Sequence, residues 1–339
     1  MEYSRAVISK MSMNEYIAVI PKIYGAHDDK RSVWDVWCHT LHHAAAVAER
    51  VRKAASAKDL FKEIADFALW LFTIVHKLGG KFGESRGPGE TPQESLIRIQ
   101  SSCSDLLWQK YPGVCPTCYS RRMRDGRGLH ESNENFWACE CLLHDPETQD
   151  KDSRRQAMSA LRRFSEENHG KKPHSIDDWQ KMFATIFATN LKQQSLEDTA
   201  LHLMEEMGEA SDAMIRMYSY RQDDFSVGEP NWHQLKLESQ IADVFSQLFA
   251  ILGKINLLRM RGLEYEGWRS EAAPLALEPI GLAEIIWKRY GCEQRRCFRC
   301  QSCKCPVCSC PIVLVPSTNS INELRALFLV GDITKSGQG

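Results

Sequence analysis

A short stretch in the second half of the chain is rich in acidic side chains at helical spacing. The apolar residues between the acids form one helix seam, made of Leu203, Met207, Ala210, Met214 and Met217. Glu206 and Glu209 fall on the same flank of that seam, with Glu205 further towards solvent. Acids this close repel one another, and a divalent cation would replace that repulsion with ligation.

A second polar element follows roughly thirty residues later. Gln240 and Asp243 share one flank of a helix whose seam runs through Ile241, Val244, Phe245, Leu248 and Ile255. Two antiparallel helices of this kind can direct four side-chain oxygens into one space, and Mg²⁺ prefers oxygen ligands. An acidic flank is also typical of a solvated helix face. The pairing of two such flanks favours a magnesium site.

The first of two cysteine clusters contains two thiol pairs. Cys115 lies near Cys118, and Cys139 near Cys141, in a sequence without a secretory hydrophobic segment. Four thiolates at this spacing predict a closed, tetrahedral Zn²⁺ site with a structural role.

The second cysteine cluster is denser, and its ligands are ambiguous. By analogy with the first cluster, the predicted zinc ligands are Cys297, Cys300, Cys303 and Cys305. Cys305 and Cys308 also have the spacing of a ligand pair. Zinc is favoured there, and an iron–sulfur cluster is the alternative.

The helices that carry these residues occur twice in the sequence. The two halves align at an offset of 163 residues, which becomes 177 after a 14-residue insertion in the second copy and 179 at the last match. The matched pairs are Ser12 with Ser175, His43 with Glu206, Glu63 with Gln240, Asp66 with Asp243, Lys77 with Lys254 and Tyr111 with Tyr290. Several matches in the same order indicate an internal duplication.

Each copy is predicted to be a four-helix bundle followed by a small Cys-rich zinc module. Strand signals are scarce, which makes the fold class all-α. The predicted helices span residues 13–25, 32–55, 58–78 and 92–110, then 176–191, 194–220, 232–258 and 276–290, with a charged connecting helix over 152–167.

The acidic elements resemble the signature of a known enzyme family. Glu205-Glu206-Met-Gly-Glu209, followed by Gln240-Ile-Ala-Asp243, is similar to the EExxE…ExxD pattern of MazG-like nucleotide pyrophosphohydrolases. The resemblance covers residues 175–260 strongly and the first copy more weakly. It implies α-helical bundles, dimeric or in tandem, that use Mg²⁺ to cleave a nucleoside triphosphate into a monophosphate and pyrophosphate.

The resemblance also assigns roles by position. It makes Glu206, Glu209 and Asp243 the Mg²⁺ ligands, with Gln240 as a weak fourth ligand. Glu205 becomes a catalytic acid near the attacking water, and either Glu205 or Glu209 accepts the proton of that water. Lys254 becomes a phosphate contact, and an ordinary solvated lysine is the alternative.

Both copies depart from the family pattern. Gln240 stands where the family has a glutamate, and an amide oxygen binds Mg²⁺ less strongly than a carboxylate. The first copy has His43 at the position of Glu206 but keeps Glu63 and Asp66, so it is predicted to be a degenerate site. A histidine at the edge of the core is favoured for His43, and a softer metal is the alternative. The two copies are predicted to form a pseudo-dimer with one working site, in the second copy. A stronger form of this hypothesis is that Glu63 and Asp66 of the first copy contribute to that working site.

These patterns divide the 339-residue chain into six segments. The predicted segments are a degenerate MazG-like bundle over 1–112, a zinc module over 113–150, a connecting helix over 151–172, a catalytic MazG-like bundle over 173–291, a second Cys-rich zinc module over 292–315, and a C-terminal helix and tail over 316–339.

Composition narrows the classes of partner. The net charge of −1 gives no electrostatic reason to expect a nucleic acid or a membrane. Charged residues interrupt the first twenty-five positions, which argues against a secretory segment and predicts a cytoplasmic protein. The leading prediction is a Mg²⁺-dependent nucleoside triphosphate pyrophosphohydrolase, for which the resemblance also allows a homodimer. The alternative is a catalytically weakened MazG-like scaffold whose zinc modules bind nucleic acid or a partner protein.

Overall fold

The computed structural model describes residues 10–28, 30–79, 99, 101–125, 136–141, 151–219, 232–260 and 279–290. The described residues are mostly helical and contain no strands, which confirms the all-α class. The helices are α1 (Met13–Asp28), α2 (Val33–Arg52), α3 (Ala57–Lys77), α4 (Cys103–Lys110), α5 (Pro116–Arg124), α6 (Lys151–Glu167), α7 (Ile176–Ile186), α8 (Ala188–Gln193), α9 (Leu196–Ser219), α10 (Trp232–Met260) and α11 (Leu282–Tyr290).

Serine caps begin the first helix of each half. The Ser175 hydroxyl accepts a hydrogen bond from the Asp178 N–H, and the Asp178 carboxylate accepts one from the Ser175 N–H. Ser12 and Glu15 make the same reciprocal pair at the start of α1. A capping box satisfies two N–H groups that the first turn would leave without a partner. The two helix starts proposed from the sequence are therefore confirmed.

Other helix boundaries differ from the predicted ones. The predicted helix over 176–191 is interrupted at Phe187, so that α7 and α8 are separate. Of the helix predicted over 92–110, the described part begins at Cys103, where the Ser102 hydroxyl caps it by accepting from the Asp105 N–H; residues 92–98 and 100 lie outside the described residues. Of the helix predicted over 276–290, residues 279–281 are not helical and α11 begins at Leu282; residues 276–278 lie outside the described residues. The second cysteine cluster and the tail over 316–339 lie outside the described residues.

The long third helices, α3 and α10, form the centre of the protein. Nearly every residue of α3 from Glu63 to Val75 is buried. The rings of Phe72 on α3 and Phe245 on α10 lie 5.3 Å apart within one hydrophobic core that draws residues from both halves. Burial of an aromatic side chain of this size contributes about 1.5–3 kcal/mol. Charged groups on these two helices therefore face an apolar surrounding.

One helical segment, Gln234–Met260 within α10, is long and apolar enough to cross a membrane by length and composition. However, 83% of its most apolar window is buried inside the protein. Such burial is what a core helix requires, because its apolar faces are covered by neighbouring helices.

The short C-terminal helix of each half packs against the third helix of the other half. Helix α4 contacts α10, and α11 contacts α3. The halves also meet at their first helices, where Ser12 and Ser175 form an antiparallel bridge and the Ile176 N–H donates to the Met11 carbonyl at 3.1 Å. Positions that the sequence repeat aligns thus meet each other or make reciprocal contacts.

Candidate functional site

The acidic residues of the second half meet across α9 and α10. The two helices run antiparallel, since Asp212 lies 3.5 Å from Lys236 while Glu209 bonds to Gln240. The Gln240 amide donates to Glu209 Oε2 at 2.7 Å and to Asp243 Oδ2 at 3.4 Å. Gln240 therefore joins one acid of each helix. We call Glu206, Glu209, Gln240 and Asp243 the acid cluster.

Glu206 carries the strongest electrostatic perturbation in this cluster. Burial, together with the nearby charges of Asp243 and Glu209, raises the pKa of Glu206 to about 8, while Lys110 opposes the shift. A carboxyl group that shares a partly buried space with other acids holds its proton at neutral pH. Such a raised pKa is typical of sites that bind cations or perform proton transfer.

Two residues from the first half hold the Asp243 carboxylate. The Tyr111 hydroxyl donates to Asp243 Oδ1 at 2.6 Å, and the Lys110 ammonium donates to Oδ2 at 3.0 Å. Asp243 is only 7% exposed, so these charge-assisted bonds compensate for the loss of water. The sequence assigned neither Lys110 nor Tyr111 to the site. The signal that would have found them is the match of Lys110-Tyr111 with Arg289-Tyr290.

The other predicted residues of the second half lie at different places. Glu205 is exposed, and its Oε2 lies 3.2 Å from His202 Nδ1 on the same helix. Lys254 is buried and donates to the Leu191 carbonyl at 2.8 Å. Lys77, which the repeat aligns with Lys254, donates to the carbonyl of Asp28 at 3.2 Å. Both lysines thus bond the main chain, and the phosphate contact of Lys254 stays a prediction.

The degenerate first-half site is a compact buried cluster. His43 Nδ1 lies 3.3 Å from Glu63 Oε2, and one ligand atom each of His43, Glu63 and Asp66 lies within 4.8 Å of the others. Burial lowers the pKa of His43, although Asp66 and Glu63 partly oppose this effect. The neutral imidazole beside two carboxylates is a donor set that could hold a metal ion.

Cations and a hydroxyl already surround these first-half carboxylates. Arg289 donates to both oxygens of Asp66, at 2.9 Å from Nε and 3.2 Å from Nη2, and the Tyr290 hydroxyl bonds the same carboxylate. Lys62 lies 2.9 Å from Glu63. Asp66 is fully buried, so the guanidinium of the second half neutralises it where no water reaches. The arrangement mirrors Lys110 and Tyr111 on Asp243.

The three acids of the second half are more widely spaced than this triad. Among the described residues, the groups whose ligand atoms all lie within 4.8 Å of one another are the His43 triad and the first cysteine cluster. Glu206, Glu209 and Asp243 do not form such a group. Their hard oxygen donors match the preference of Mg²⁺, which fills its remaining positions with water and phosphate oxygens.

The first cysteine cluster has the geometry of a tetrahedral metal site. The sulfur of Cys141 lies 3.6 Å from that of Cys115 and 3.5 Å from that of Cys118, and Cys118 lies 3.7 Å from Cys139. A disulfide would bring two sulfurs to about 2.05 Å. Zinc–sulfur bonds of about 2.3 Å separate tetrahedral ligands by about 3.8 Å. These four cysteines could therefore bind a metal such as zinc, as the sequence predicts.

Main-chain donors point at the same sulfurs. The Glu140 N–H donates to Cys118 Sγ at 3.2 Å, and the Cys141 N–H donates to Cys139 Sγ at 3.4 Å. Hydrogen bonds from the neighbouring cysteines lower the pKa of Cys118. Amide donors of this kind stabilise thiolates and orient them as ligands. The Cys139 N–H also donates to the Ile186 carbonyl, which fastens the cluster to α7.

A cavity of about 370 Å³ lies next to the acid cluster. Its wall includes Lys110 on α4, Arg162 on α6 and Ser239 on α10. The Lys110 ammonium donates to Ser239 Oγ at 2.6 Å as well as to Asp243, so it borders both the cavity and the acids. We call this space the α4–α6–α10 cavity.

The chain was compared with protein-family models, curated proteins and solved structures, and none of them matches it.

Proposed function

We propose that the protein is a Mg²⁺-dependent nucleoside triphosphate pyrophosphohydrolase whose working site is the acid cluster. The observation that carries the proposal is the bridge from Glu209 through the Gln240 amide to Asp243 across two helices, beside Glu206, whose pKa is raised to about 8. Mutual repulsion among the exposed Glu209, the half-buried Glu206 and the buried Asp243 is a cost that a divalent cation removes. The resemblance to MazG-like enzymes supplies the reaction class.

In this proposal, Glu206, Glu209 and Asp243 would hold the magnesium, and the Gln240 amide oxygen would be a weak fourth ligand. The metal supplies charge neutralisation along the phosphate chain and makes water more acidic. The oxygen of a water molecule attacks the α-phosphorus, and the bond from that phosphorus to the bridging oxygen breaks, which releases pyrophosphate. Glu205 or Glu209 accepts the proton of the water.

Two finer features accompany this function. We propose that the first cysteine cluster holds a structural Zn²⁺, since four sulfurs complete a tetrahedron and leave no position for substrate. We also propose that the halves are tandem MazG-like bundles that form a pseudo-dimer. Support comes from the pairing of Ser12 with Ser175 and from the reciprocal bonds of Tyr111 and Tyr290 to the opposite aspartates.

The direct test is pyrophosphate release from a panel of ribo- and deoxyribonucleoside triphosphates, with and without Mg²⁺. We expect release that requires Mg²⁺ and that is lost in Glu206→Gln, which keeps the shape of the side chain but cannot ionise to bind the cation. Asp212→Asn is the matched control, because Asp212 lies on the same helix but pairs with Arg216 at the surface. Its activity is expected to equal that of the unchanged protein.

A catalytically weakened scaffold is the second candidate. It is favoured by Gln240 in place of a carboxylate and by the bonds of Lys110 and Tyr111, which already occupy both oxygens of Asp243. If no nucleotide releases pyrophosphate and Mg²⁺ does not raise the melting temperature, the enzyme proposal is wrong and the scaffold is favoured.

A further inference from the structure

The α4–α6–α10 cavity has the size and lining of a small-ligand site. Its volume of about 370 Å³ lies in the range of about 300–1,000 Å³ that is common for pockets that hold small organic ligands. Leu106, Leu161 and Leu235 supply apolar surface from three different helices. At its edge, Met158 leaves 42% of its surface exposed, where a planar ring could cover the flexible thioether.

The cavity offers an anionic ligand two cationic side chains. Two cationic side chains, Lys110 and Arg162, line it together with one carboxylate, that of Glu238. Glu238 is buried, and its two oxygens accept hydrogen bonds from the N–H and the hydroxyl of Ser101 at 3.1 and 3.0 Å. Lys110 lies 3.0 Å from Asp243 and Arg162 lies 3.8 Å from Glu166, so an anionic ligand would bind these cations in exchange for those carboxylates.

The cavity and the acid cluster are joined through Lys110. Ser239 lines the cavity one helical turn before Asp243, and the Lys110 ammonium bonds both residues. A ligand that reaches the ammonium from the cavity therefore lies one side chain away from Asp243. A ligand with an apolar ring at one end and a polyphosphate at the other would place these two ends in the two adjoining spaces.

We propose that the α4–α6–α10 cavity receives the nucleoside of the triphosphate, while the phosphate chain runs past Lys110 to the acid cluster. The assignment rests on the proposed function. When the nucleotide binds, Lys110 exchanges the Asp243 carboxylate for a phosphate oxygen, which opens Asp243 to the cation that enters with the substrate. The nucleoside site then belongs to both halves and to the connecting helix α6, and the first half is more than a scaffold.

The test separates the two ends of the substrate. Met158→Trp on α6 and Leu235→Trp on α10 add bulk from opposite walls of the cavity. Affinities are measured in Mg²⁺ for an α,β-methylene nucleoside triphosphate, which is not cleaved, and for inorganic triphosphate, which lacks the nucleoside. The control is Met123→Trp, since Met123 is 50% exposed on α5 and does not line the cavity.

We expect at least one of the two bulky variants to weaken binding of the nucleotide analogue about tenfold or more, which corresponds to about 1.4 kcal/mol. Binding of inorganic triphosphate is expected to change less than twofold, and the control is expected to bind both ligands normally. Unchanged nucleotide affinity in both bulky variants overturns the inference, as does an equal loss for both ligands. A failure of the proposed function looks different: the unchanged protein would bind no inorganic triphosphate in Mg²⁺ and release no pyrophosphate.

Discussion

Replacing Tyr111 with phenylalanine removes one hydroxyl from the junction between the two halves. That hydroxyl donates to Asp243 Oδ1 at 2.6 Å, and both residues are 7% exposed. Burial raises the pKa of Tyr111 well above 10, and the charge of Asp243 adds to the shift, so the hydroxyl stays protonated and remains a donor. The ring itself packs against Phe183 at 5.2 Å and is kept by the substitution.

The magnitude follows from the charge of the acceptor. A hydrogen bond to an ionised group contributes about 1.5–3 kcal/mol, whereas a neutral one contributes about 0.5–1.5 kcal/mol. We therefore expect Tyr111→Phe to lower the free energy of unfolding by about 2 kcal/mol. Tyr119→Phe provides the neutral comparison, because the Tyr119 hydroxyl donates to the Ala160 carbonyl at 3.2 Å. Its expected cost is about 1 kcal/mol or less.

The assay is equilibrium unfolding in denaturant at neutral pH without added Mg²⁺. Tyr111→Phe is also measured in an Asp243→Asn background, where its cost should fall to that of a neutral bond, since a double-mutant cycle isolates the pairwise interaction. The reasoning is refuted if Tyr111→Phe costs no more than Tyr119→Phe, or if its cost is the same with and without the charge at position 243.

Three further outcomes are expected. Because the pKa of Glu206 is raised to about 8, its proton competes with Mg²⁺. The apparent Mg²⁺ affinity measured by calorimetry should therefore rise about tenfold per pH unit up to about pH 7 and level off above pH 9. An affinity that is flat between pH 6 and 8 would contradict this. At pH 9 and without nucleotide, Lys110→Met should tighten Mg²⁺ binding by removing a competing cation from Asp243, yet weaken binding of inorganic triphosphate; two changes of the same sign would contradict the exchange of Lys110. Cys118→Ser should lose one bound zinc per chain by elemental analysis and lower the unfolding midpoint, whereas Cys38→Ser, at an exposed cysteine outside the cluster, should do neither.

Local patterns in the sequence predicted local structure well. The serine caps depend on residues near one another in the chain, at Ser12 and at Ser175. The first cysteine cluster depends on ligand chemistry, which brings Cys115 and Cys118 close to Cys139. Helix ends were predicted less well, since Phe187 interrupts the helix predicted over 176–191 and Ser102 caps α4 within the span predicted as the helix over 92–110.

The sequence could not predict that the partners of each buried aspartate would come from the opposite half. Periodicity places Asp66 and Asp243 on a helix flank, but it contains no information about a partner more than a hundred residues away. The sequence repeat did align Lys110-Tyr111 with Arg289-Tyr290, and the structure gives that alignment a chemical meaning. The first-half site, predicted to be degenerate, turned out to be compact, since its acids face His43 and Arg289 rather than solvent.

The bonds between Asp66 and Arg289 have a consequence for synthesis of the chain on the ribosome. The two residues are 223 positions apart. At about 5–20 residues per second, roughly 10–45 s pass between the appearance of the aspartate and that of its arginine. During this interval, α3 carries a carboxylate that has neither its final partner nor the covering helix α11. The newly made first half therefore keeps part of its future interior accessible during this period. The Asp66 charge, which has Lys62 of the same helix at 3.5 Å but not yet its arginine, opposes premature burial.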